Sequence, residues 1–154
     1  MSNREQIIAY WLYPSPKDAT RFQRVIDRLA IRQNAPKFHP HISLGSFSGK
    51  EPELRVALEL MRGLKLTPKE VARSPVFTMS LFVRFEPTNQ LLHAREALEA
   101  LPGFRRRRTF DPHISLCYGA PIDHQALQNE IETLLTDTVL FDRLVAMDLS
   151  LPIE

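Results

Sequence analysis

One heptapeptide occurs twice in this chain of 154 residues. Residues 38–44 read Phe-His-Pro-His-Ile-Ser-Leu, and residues 110–116, which lie 72 positions later, read Phe-Asp-Pro-His-Ile-Ser-Leu. Six of the seven positions are identical, and self-similarity of this kind indicates that a structural unit is repeated. The repeat therefore predicts a chain made of two similar halves, each of which carries one copy of the motif.

Each copy of the motif carries a His and a Ser two residues apart. Successive side chains of a β-strand point to opposite faces, so residues i and i+2 share a face. An extended motif therefore groups His41 with Ser43, and it groups His113 with Ser115 in the same way. The intervening Ile and Leu side chains are expected to face the core, and the two His–Ser pairs to face each other across a cleft.

The rest of the sequence alternates between strand patterns and helix patterns. Strands are predicted at 7–13, 41–47, 76–85, 110–118 and 139–151, and helices from Ser15 to Pro36, from 51 to 62, from Thr88 to Leu101 and from Asp123 to Leu135. Ser15 and Thr88 are the residue types that cap helix N-termini, and Pro16 suits a first helical position. Such an alternation favours a sheet with helices packed on its outer side.

Composition limits the class of protein. With 44% hydrophobic and 25% charged residues and no linker segment, residues 1–154 are predicted to form a single domain of two similar lobes. The single Cys117 excludes an internal disulfide and fits a reducing compartment. Because neither a signal peptide nor an apolar run of membrane-spanning length is visible, we expect a cytoplasmic monomer without membrane contact.

A run of four arginines precedes the second motif. Arg105, Arg106, Arg107 and Arg108 stand in a chain whose formal net charge is only +2, which is too small to predict nucleic-acid binding. Such a run is commonly a solvated face of the protein. The alternative is an electropositive rim that attracts a phosphorylated ligand, and in that case Arg105 borders the site.

Two facing imidazoles suit acid–base chemistry at phosphorus. A neutral imidazole takes up a proton near neutral pH and an imidazolium releases one, so one His can activate water while the other protonates the departing oxygen. The two Ser hydroxyls can bind the non-bridging phosphoryl oxygens as negative charge accumulates there. A strained five-membered cyclic phosphate needs little more than this, and no metal or cofactor is required.

Other interpretations of the histidines remain open. The two motifs can be core strands with buried and satisfied imidazoles, and His39, His41 and His113 can form a zinc site, although no metal-site spacing indicates one. His39 has Asp111 as its counterpart in the second motif, so it is not part of a symmetric pair. His93 and His124 are predicted to be ordinary surface residues.

With these motifs the chain resembles the two-histidine (2H) phosphoesterase superfamily, whose signature is one His-x-Thr/Ser-x motif in each lobe. The two motifs here are His41-Ile42-Ser43-Leu44 and His113-Ile114-Ser115-Leu116. Within the superfamily the chain is most similar to the cyclic phosphodiesterase and 2′,5′ RNA ligase-like family. The flanking likenesses are the opening at 10–14, the Phe-x-Pro-His entry to the first motif, and Tyr118 after the second.

The resemblance implies an α+β fold with a bilobal, pseudo-two-fold duplication, in which antiparallel-rich sheets line a central cleft and helices pack outside. It assigns His41 and His113 as the acid–base pair and Ser43 and Ser115 as phosphate ligands, without saying which His is the acid. Tyr118 and Trp11 are then expected at the rim of the pocket.

The implied activity is metal-independent hydrolysis of 2′,3′-cyclic nucleotides or ADP-ribose 1″,2″-cyclic phosphate, with a 2′-phosphate left on the product. Two alternatives stay open. The first is an RNA 2′,5′ ligase or a 2′,5′-phosphodiesterase that acts on RNA or oligoadenylate, for which the arginine run is the support. The second is a non-catalytic module that binds a nucleotide without changing it.

Overall fold

The computed structural model describes residues 6–106, 109–119 and 127–149. Within these residues the chain forms six strands and four helices. The strands are β1 (Ile7–Pro14), β2 (Ile42–Ser48), β3 (Leu64–Arg73), β4 (Leu81–Glu86), β5 (His113–Cys117) and β6 (Val139–Asp148). The helices are α1 (Pro16–Gln33), α2 (Arg55–Leu60), α3 (Asn89–Glu99) and α4 (Gln128–Thr133). The predicted mixed α+β class is confirmed.

The six strands form one antiparallel sheet in the order β2-β1-β6-β3-β4-β5. The sheet is curled into a half-barrel, so that Cα atoms of its two edge strands, β2 and β5, approach within 8 Å of each other. These edge strands are the two that carry the repeated motif. The motif strands therefore start at opposite edges of the sheet, and the curl brings them together.

The strand order is the same when it is read from either edge. If β1–β3 and β4–β6 are taken as the two halves, the order from one edge is β2, β1, β6 and the order from the other edge is β5, β4, β3. From either edge, the second and the first strand of one half are followed by the third strand of the other half. The two third strands, β3 and β6, pair in the middle, where Leu64 lies opposite Phe141 and Leu66 lies opposite Val139. All four of these side chains are buried in the core.

Helix α1 begins and ends where the sequence predicts. Pro16 occupies the first helical position, where its missing N–H costs no hydrogen bond. The helix stops at Asn34, which adopts a left-handed conformation with φ of 52°, and Pro36 follows two residues later. One face of α1 is fully buried against the sheet, where the helix contacts β1 and β5; its buried residues are Phe22, Val25, Ile26, Leu29 and Ala30.

The two predicted helix caps have different outcomes. Thr88 caps α3, because its Oγ1 accepts a hydrogen bond from the backbone N–H of Leu91 at 3.1 Å. Ser15 stands at the N-cap position of α1 but makes no capping bond. Its hydroxyl instead donates to Asp18 at 3.3 Å, and the same carboxylate accepts the backbone N–H of Leu140 at 2.9 Å. This acid therefore ties the start of α1 to β6.

Strand β3 was not among the predicted elements. Its first part alternates as a strand should, since Leu64 and Leu66 are buried on either side of an exposed Lys65. Its second part contains Pro68, which argues against a central strand because proline cannot donate to the ladder. The structure accommodates Pro68 at a register shift in the β3·β4 pairing, where one fewer donor is needed. With β3 included, each half has the order strand–helix–strand–helix–strand.

Two other boundaries differ clearly from the prediction. Residues 77–79 form a 3₁₀ turn, and β4 begins only at Leu81. The hydroxyl of Ser74 closes a turn there, because it donates to the carbonyl of Met79 and accepts from the N–H of Val76. Helix α2 begins at Arg55 rather than at residue 51, in keeping with the bias against helix at a residue that precedes proline. The predicted start of α4 at Asp123 lies outside the described residues.

No helix in the described part of the chain combines the length and the apolar character needed to cross a membrane.

Candidate active site

The side chains of residues 41–44 and 113–116 alternate between the two faces of the sheet, as a strand requires. The isoleucine and the leucine of each copy are fully buried, and they are Ile42, Leu44, Ile114 and Leu116. Because these side chains point into the core, His41 and Ser43 in one copy and His113 and Ser115 in the other are directed away from it. Each edge strand thus presents one imidazole and one hydroxyl on the same side.

Both motif imidazoles make the same hydrogen bond. The Nδ1 atom of His41 lies 2.7 Å from the carbonyl oxygen of His39, and Nδ1 of His113 lies 2.7 Å from the carbonyl oxygen of Asp111. A carbonyl only accepts, so Nδ1 carries the proton in both rings. The Nε2 atom of each neutral ring is therefore the free base, and each ring is oriented by the backbone two residues upstream.

The two imidazoles lie within electrostatic reach of each other. Their strands, β2 and β5, have Cα atoms within 8 Å. The positive charge of His113 is also one of the causes that lower the pKa of His41. This proximity comes from the curl of the sheet, because the two residues are separated by 72 positions in the chain.

His41 is held in a largely dry environment. Its ring stacks on the indole of Trp11, with 3.8 Å between ring centroids and 12° between planes, and only 8% of the residue is exposed. Burial lowers the pKa of His41 to about 4, helped by the charges of His113 and His39 and opposed by the bond to the His39 carbonyl. At neutral pH His41 is therefore an uncharged imidazole that can accept a proton.

His113 is flanked by a different aromatic ring. Phe82 meets it edge-on, with 5.2 Å between ring centroids and 62° between planes. In the strand register Phe82 lies opposite Ser115, and Trp11 lies opposite Ser43. Sequence reasoning missed Phe82, although it follows Trp11 by 71 positions, close to the spacing of the motif repeat.

The two motif serines are not equivalent. Ser43 is exposed, so its hydroxyl is available to a ligand. Ser115 is only 8% exposed, and its hydroxyl donates to the carbonyl oxygen of Thr78 at 2.6 Å. Ser115 must release this carbonyl before it can donate to a phosphoryl oxygen, whereas Ser43 has no such bond to break among the described contacts.

Of the residues expected at the rim, Trp11 lies directly on the ring of His41. Tyr118 is half-buried and stacks on Phe38, with 4.0 Å between ring centroids and 9° between planes. Burial raises the pKa of the Tyr118 hydroxyl. Phe77, which falls in the strand predicted at 76–85, is 59% exposed, and its ring centroid lies 5.9 Å from that of Tyr118. Tyr118 therefore joins a partly exposed aromatic cluster at the end of β5.

Arg105 lies beside the first motif strand. Its backbone N–H donates to the carbonyl of Ser46 at 2.9 Å, and the N–H of Ser48 donates to the carbonyl of Gly103 at 2.8 Å. The segment that leads to the arginine run therefore pairs along the outer edge of β2. Arg106 is exposed, and residues 107 and 108 lie outside the described part of the chain.

The structure describes two of the three remaining histidines, His39 and His93. The ring of His39 is exposed and contacts Gln23, with 3.3 Å between Nδ1 and Oε1, and His93 is on the exposed side of α3. His124 lies outside the described residues. Among the residues that the structure describes, no three His, Cys, Asp or Glu side chains are grouped so that they could hold a metal ion, which includes the set of His39, His41 and His113.

No family model matches the chain, and no curated protein is significantly similar to it.

Proposed function

We propose that this protein hydrolyses cyclic phosphodiesters by acid–base catalysis between His41 and His113. One observation carries the proposal: both imidazoles are held through Nδ1 by a carbonyl two residues upstream, on strands that approach within 8 Å. In this proposal both Nε2 atoms act on one ligand. The matched geometry supports the resemblance of the chain to the 2H phosphoesterases.

The same proposal includes a duplicated architecture. We infer that β1 to β3 with α1 and α2 form one lobe, that β4 to β6 with α3 and α4 form the other, and that the site lies in a cleft between them. The strand order, which is the same from either edge of the sheet, is what a pseudo-two-fold axis between β3 and β6 requires. Such an axis exchanges His41 with His113.

In the proposed reaction His41 is the base and His113 is the acid. The neutral Nε2 of His41 takes a proton from water as the water oxygen forms a bond to phosphorus. One P–O bond of the cyclic phosphate breaks, and the departing oxygen takes the proton from the imidazolium of His113. Each of these two roles is typically worth about 10²–10⁴ in rate.

The hydroxyl of Ser43 binds a non-bridging oxygen of the phosphoryl group in this scheme. Negative charge grows on that oxygen in the transition state, and a donor already aimed at it stabilises the transition state more than the ground state. Ser115 makes the equivalent contact after it leaves the Thr78 carbonyl. The protein therefore supplies the donors and proton carriers itself, and we propose a reaction that uses neither a metal nor a cofactor.

The proposed substrates are 2′,3′-cyclic nucleotides or ADP-ribose 1″,2″-cyclic phosphate, and the proposed product keeps the phosphate on the 2′ oxygen. The strained ring of these substrates lowers the barrier that the two imidazoles have to overcome. The cluster of Tyr118, Phe38 and Phe77 lies at the end of the second motif strand, where an aromatic surface suits a nucleobase.

The test is a panel of 2′,3′-cyclic nucleotides, ADP-ribose 1″,2″-cyclic phosphate and 2′,5′-oligoadenylate, offered with and without excess EDTA. Phosphorus NMR and mass spectrometry then identify the bond that is cut. We expect cyclic phosphates to be opened to 2′-phosphates at the same rate with EDTA. Substrates that bind but are returned unchanged after long incubation would instead identify a nucleotide-binding module, and inhibition by EDTA would contradict the metal-independent route.

A second candidate is an RNA 2′,5′ ligase or a 2′,5′-phosphodiesterase that acts on RNA or oligoadenylate. The position of Arg105 along the edge of β2 favours it, since the basic run starts next to the first motif. The affinity of a protein that neutralises several RNA phosphates falls steeply as the salt concentration rises. A steep salt dependence together with cleavage or joining of 2′,5′ linkages would favour this candidate, and salt-independent cleavage of cyclic mononucleotides would favour the first.

A further inference from the structure

Arg84 makes a two-pronged ion pair next to the second motif. It stands on β4 directly opposite His113 of β5. Its Nε lies 2.9 Å from Oδ1 and 3.1 Å from Oδ2 of Asp111, and its Nη2 lies 3.0 Å from Oδ2. Nη1 of the same guanidinium donates to Glu70 of β3 at 2.5 Å. The guanidinium is therefore fixed between two carboxylates.

Asp111 is bound through both of its ends. Its carboxylate is held by Arg84, and its backbone carbonyl accepts the hydrogen bond from Nδ1 of His113 at 2.7 Å. Arg84 also lies over the ring of Phe82, with 5.3 Å from the guanidinium carbon to the centroid, and Phe82 is the aromatic ring that meets His113 edge-on. Arg84 thus contacts both of the residues that fix the His113 ring.

We propose that Arg84 is a positioning residue that sets the ring orientation and the tautomer of His113 through Asp111 and Phe82. The inference rests on the proposed function for its catalytic consequence. The planar fork of an arginine fixes a carboxylate in two directions at once, which a lysine ammonium cannot do. Holding the Asp111 side chain limits rotation of its peptide group, and the carbonyl then keeps the proton of the His113 ring on Nδ1.

The first motif lacks this ion pair. His39 stands in the place of Asp111, and its side chain contacts the neutral amide of Gln23. The Nε2 of Gln23 donates to the carbonyl of Phe38 at 2.9 Å, so Gln23 supports the first motif from α1. Because the two supports are on different elements, a change at Arg84 is expected to disturb His113 and to leave His41 as it is.

The kinetic test compares Arg84→Gln with Arg21→Gln. Arg21 is a matched control, since it also pairs with an aspartate (Asp18, 3.2 Å) and lies over a phenylalanine (Phe22, 5.8 Å), with 27% of its side chain exposed against 32% for Arg84. We expect Arg84→Gln to lower kcat on a 2′,3′-cyclic nucleotide about 10–100-fold with little change in KM. Arg21→Gln should keep the kcat of the unmodified protein, and Arg84→Lys should recover only part of the loss.

A second readout does not depend on turnover. In protein labelled with ¹⁵N-histidine, long-range ¹H–¹⁵N spectra report which ring nitrogen carries the proton. We expect a single Nδ1–H form for neutral His113 in the unmodified protein, a mixture of tautomers in Arg84→Gln and in Asp111→Asn, and unchanged His41 signals in both. Asp111→Asn serves where Arg84→Gln folds poorly, because it removes the charge pair and keeps the carbonyl.

Unchanged His113 ring signals in folded Arg84→Gln, with kcat unaltered, would overturn the positioning role. Equal losses of kcat in Arg84→Gln and Arg21→Gln would also overturn it, since they would point to a general loss of stability. If the unmodified protein opens no cyclic phosphate, the proposed function fails, and the ring signals then decide the positioning role alone.

Discussion

At the scale of single residues, the two motifs are alike in their hydrogen bonds and different in their surroundings. His41 is buried under Trp11, whereas His113 is half-buried beside Phe82. A buried imidazole is held in its uncharged form because burial penalises charge. In the proposed reaction, this difference assigns His41 the role of proton acceptor and His113 the role of proton donor.

The repeat predicts the residues of the candidate site but not the hydrogen bonds that each of them makes. Two copies of one sequence were enough to select His41, His113, Ser43 and Ser115. The bond from Ser115 to Thr78 was not predictable, because it joins β5 to the 3₁₀ turn at Phe77–Met79, and the two residues are 37 positions apart in the chain. Arg84 falls in the strand predicted at 76–85, but its pairing with Asp111 depends on the register of β4 and β5.

The serines provide a test at this scale. Ser43→Ala should lower kcat about 10²-fold, because it removes a free donor to the charged phosphoryl oxygen. Ser115→Ala should lower kcat less and should reduce the free energy of unfolding by about 1 kcal/mol, since it breaks the bond to the Thr78 carbonyl. Steady-state kinetics and urea unfolding of both variants measure this, and a larger kinetic loss in Ser115→Ala would contradict the assignment.

At the scale of elements, local chemistry predicted the helices better than the strands. Helices α1 and α3 start at Pro16 and after Thr88, since proline and a capping hydroxyl act within a few residues. Strand β3 escaped prediction because Pro68 interrupts it, and only the bulge in its pairing with β4 makes that proline acceptable. A bulge depends on a partner strand that a local pattern does not contain.

The two predicted cap residues are expected to contribute different amounts to the stability of the fold. Thr88→Ala should reduce the free energy of unfolding by about 1 kcal/mol, because the backbone N–H of Leu91 loses its acceptor. Ser15→Ala is the matched control with a smaller expected effect, since Ser15 makes no capping bond. Urea unfolding at neutral pH measures both. Equal losses of unfolding free energy in the two variants would contradict a stabilising role for the capping bond of Thr88.

At the scale of the whole molecule, the candidate site depends on the curl of the sheet, which brings its two edge strands close together. Strands β2 and β5 are the outermost strands of the sheet, and the central pairing of β3 with β6 joins the two halves between them. The sequence predicted two similar halves, but the sheet whose edges approach within 8 Å is held together by pairing between strands of different halves. No short segment of the chain specifies that pairing.

Burying His41 makes the stability of the whole fold depend on pH. The unfolded chain takes up a proton at His41 near pH 6.5, whereas the folded protein does so only near pH 4. The folded state therefore has its full stability above pH 6.5 and loses it as the pH falls to about 4, by about 3 kcal/mol from this group. Urea unfolding across this pH range should show that His41→Asn loses less stability at acid pH than the unmodified protein does. Equal losses of stability in the two proteins would contradict a buried, neutral His41 ring.

The most direct measurement is turnover of a 2′,3′-cyclic nucleotide by the unmodified protein, by His41→Ala and by His113→Ala, with folding of each verified by circular dichroism. The account predicts that the unmodified protein opens the ring and that each alanine variant, still folded, loses at least about 10²-fold in kcat. Full activity in either folded variant would contradict the claim that two imidazoles from separate strands act on one phosphorus atom.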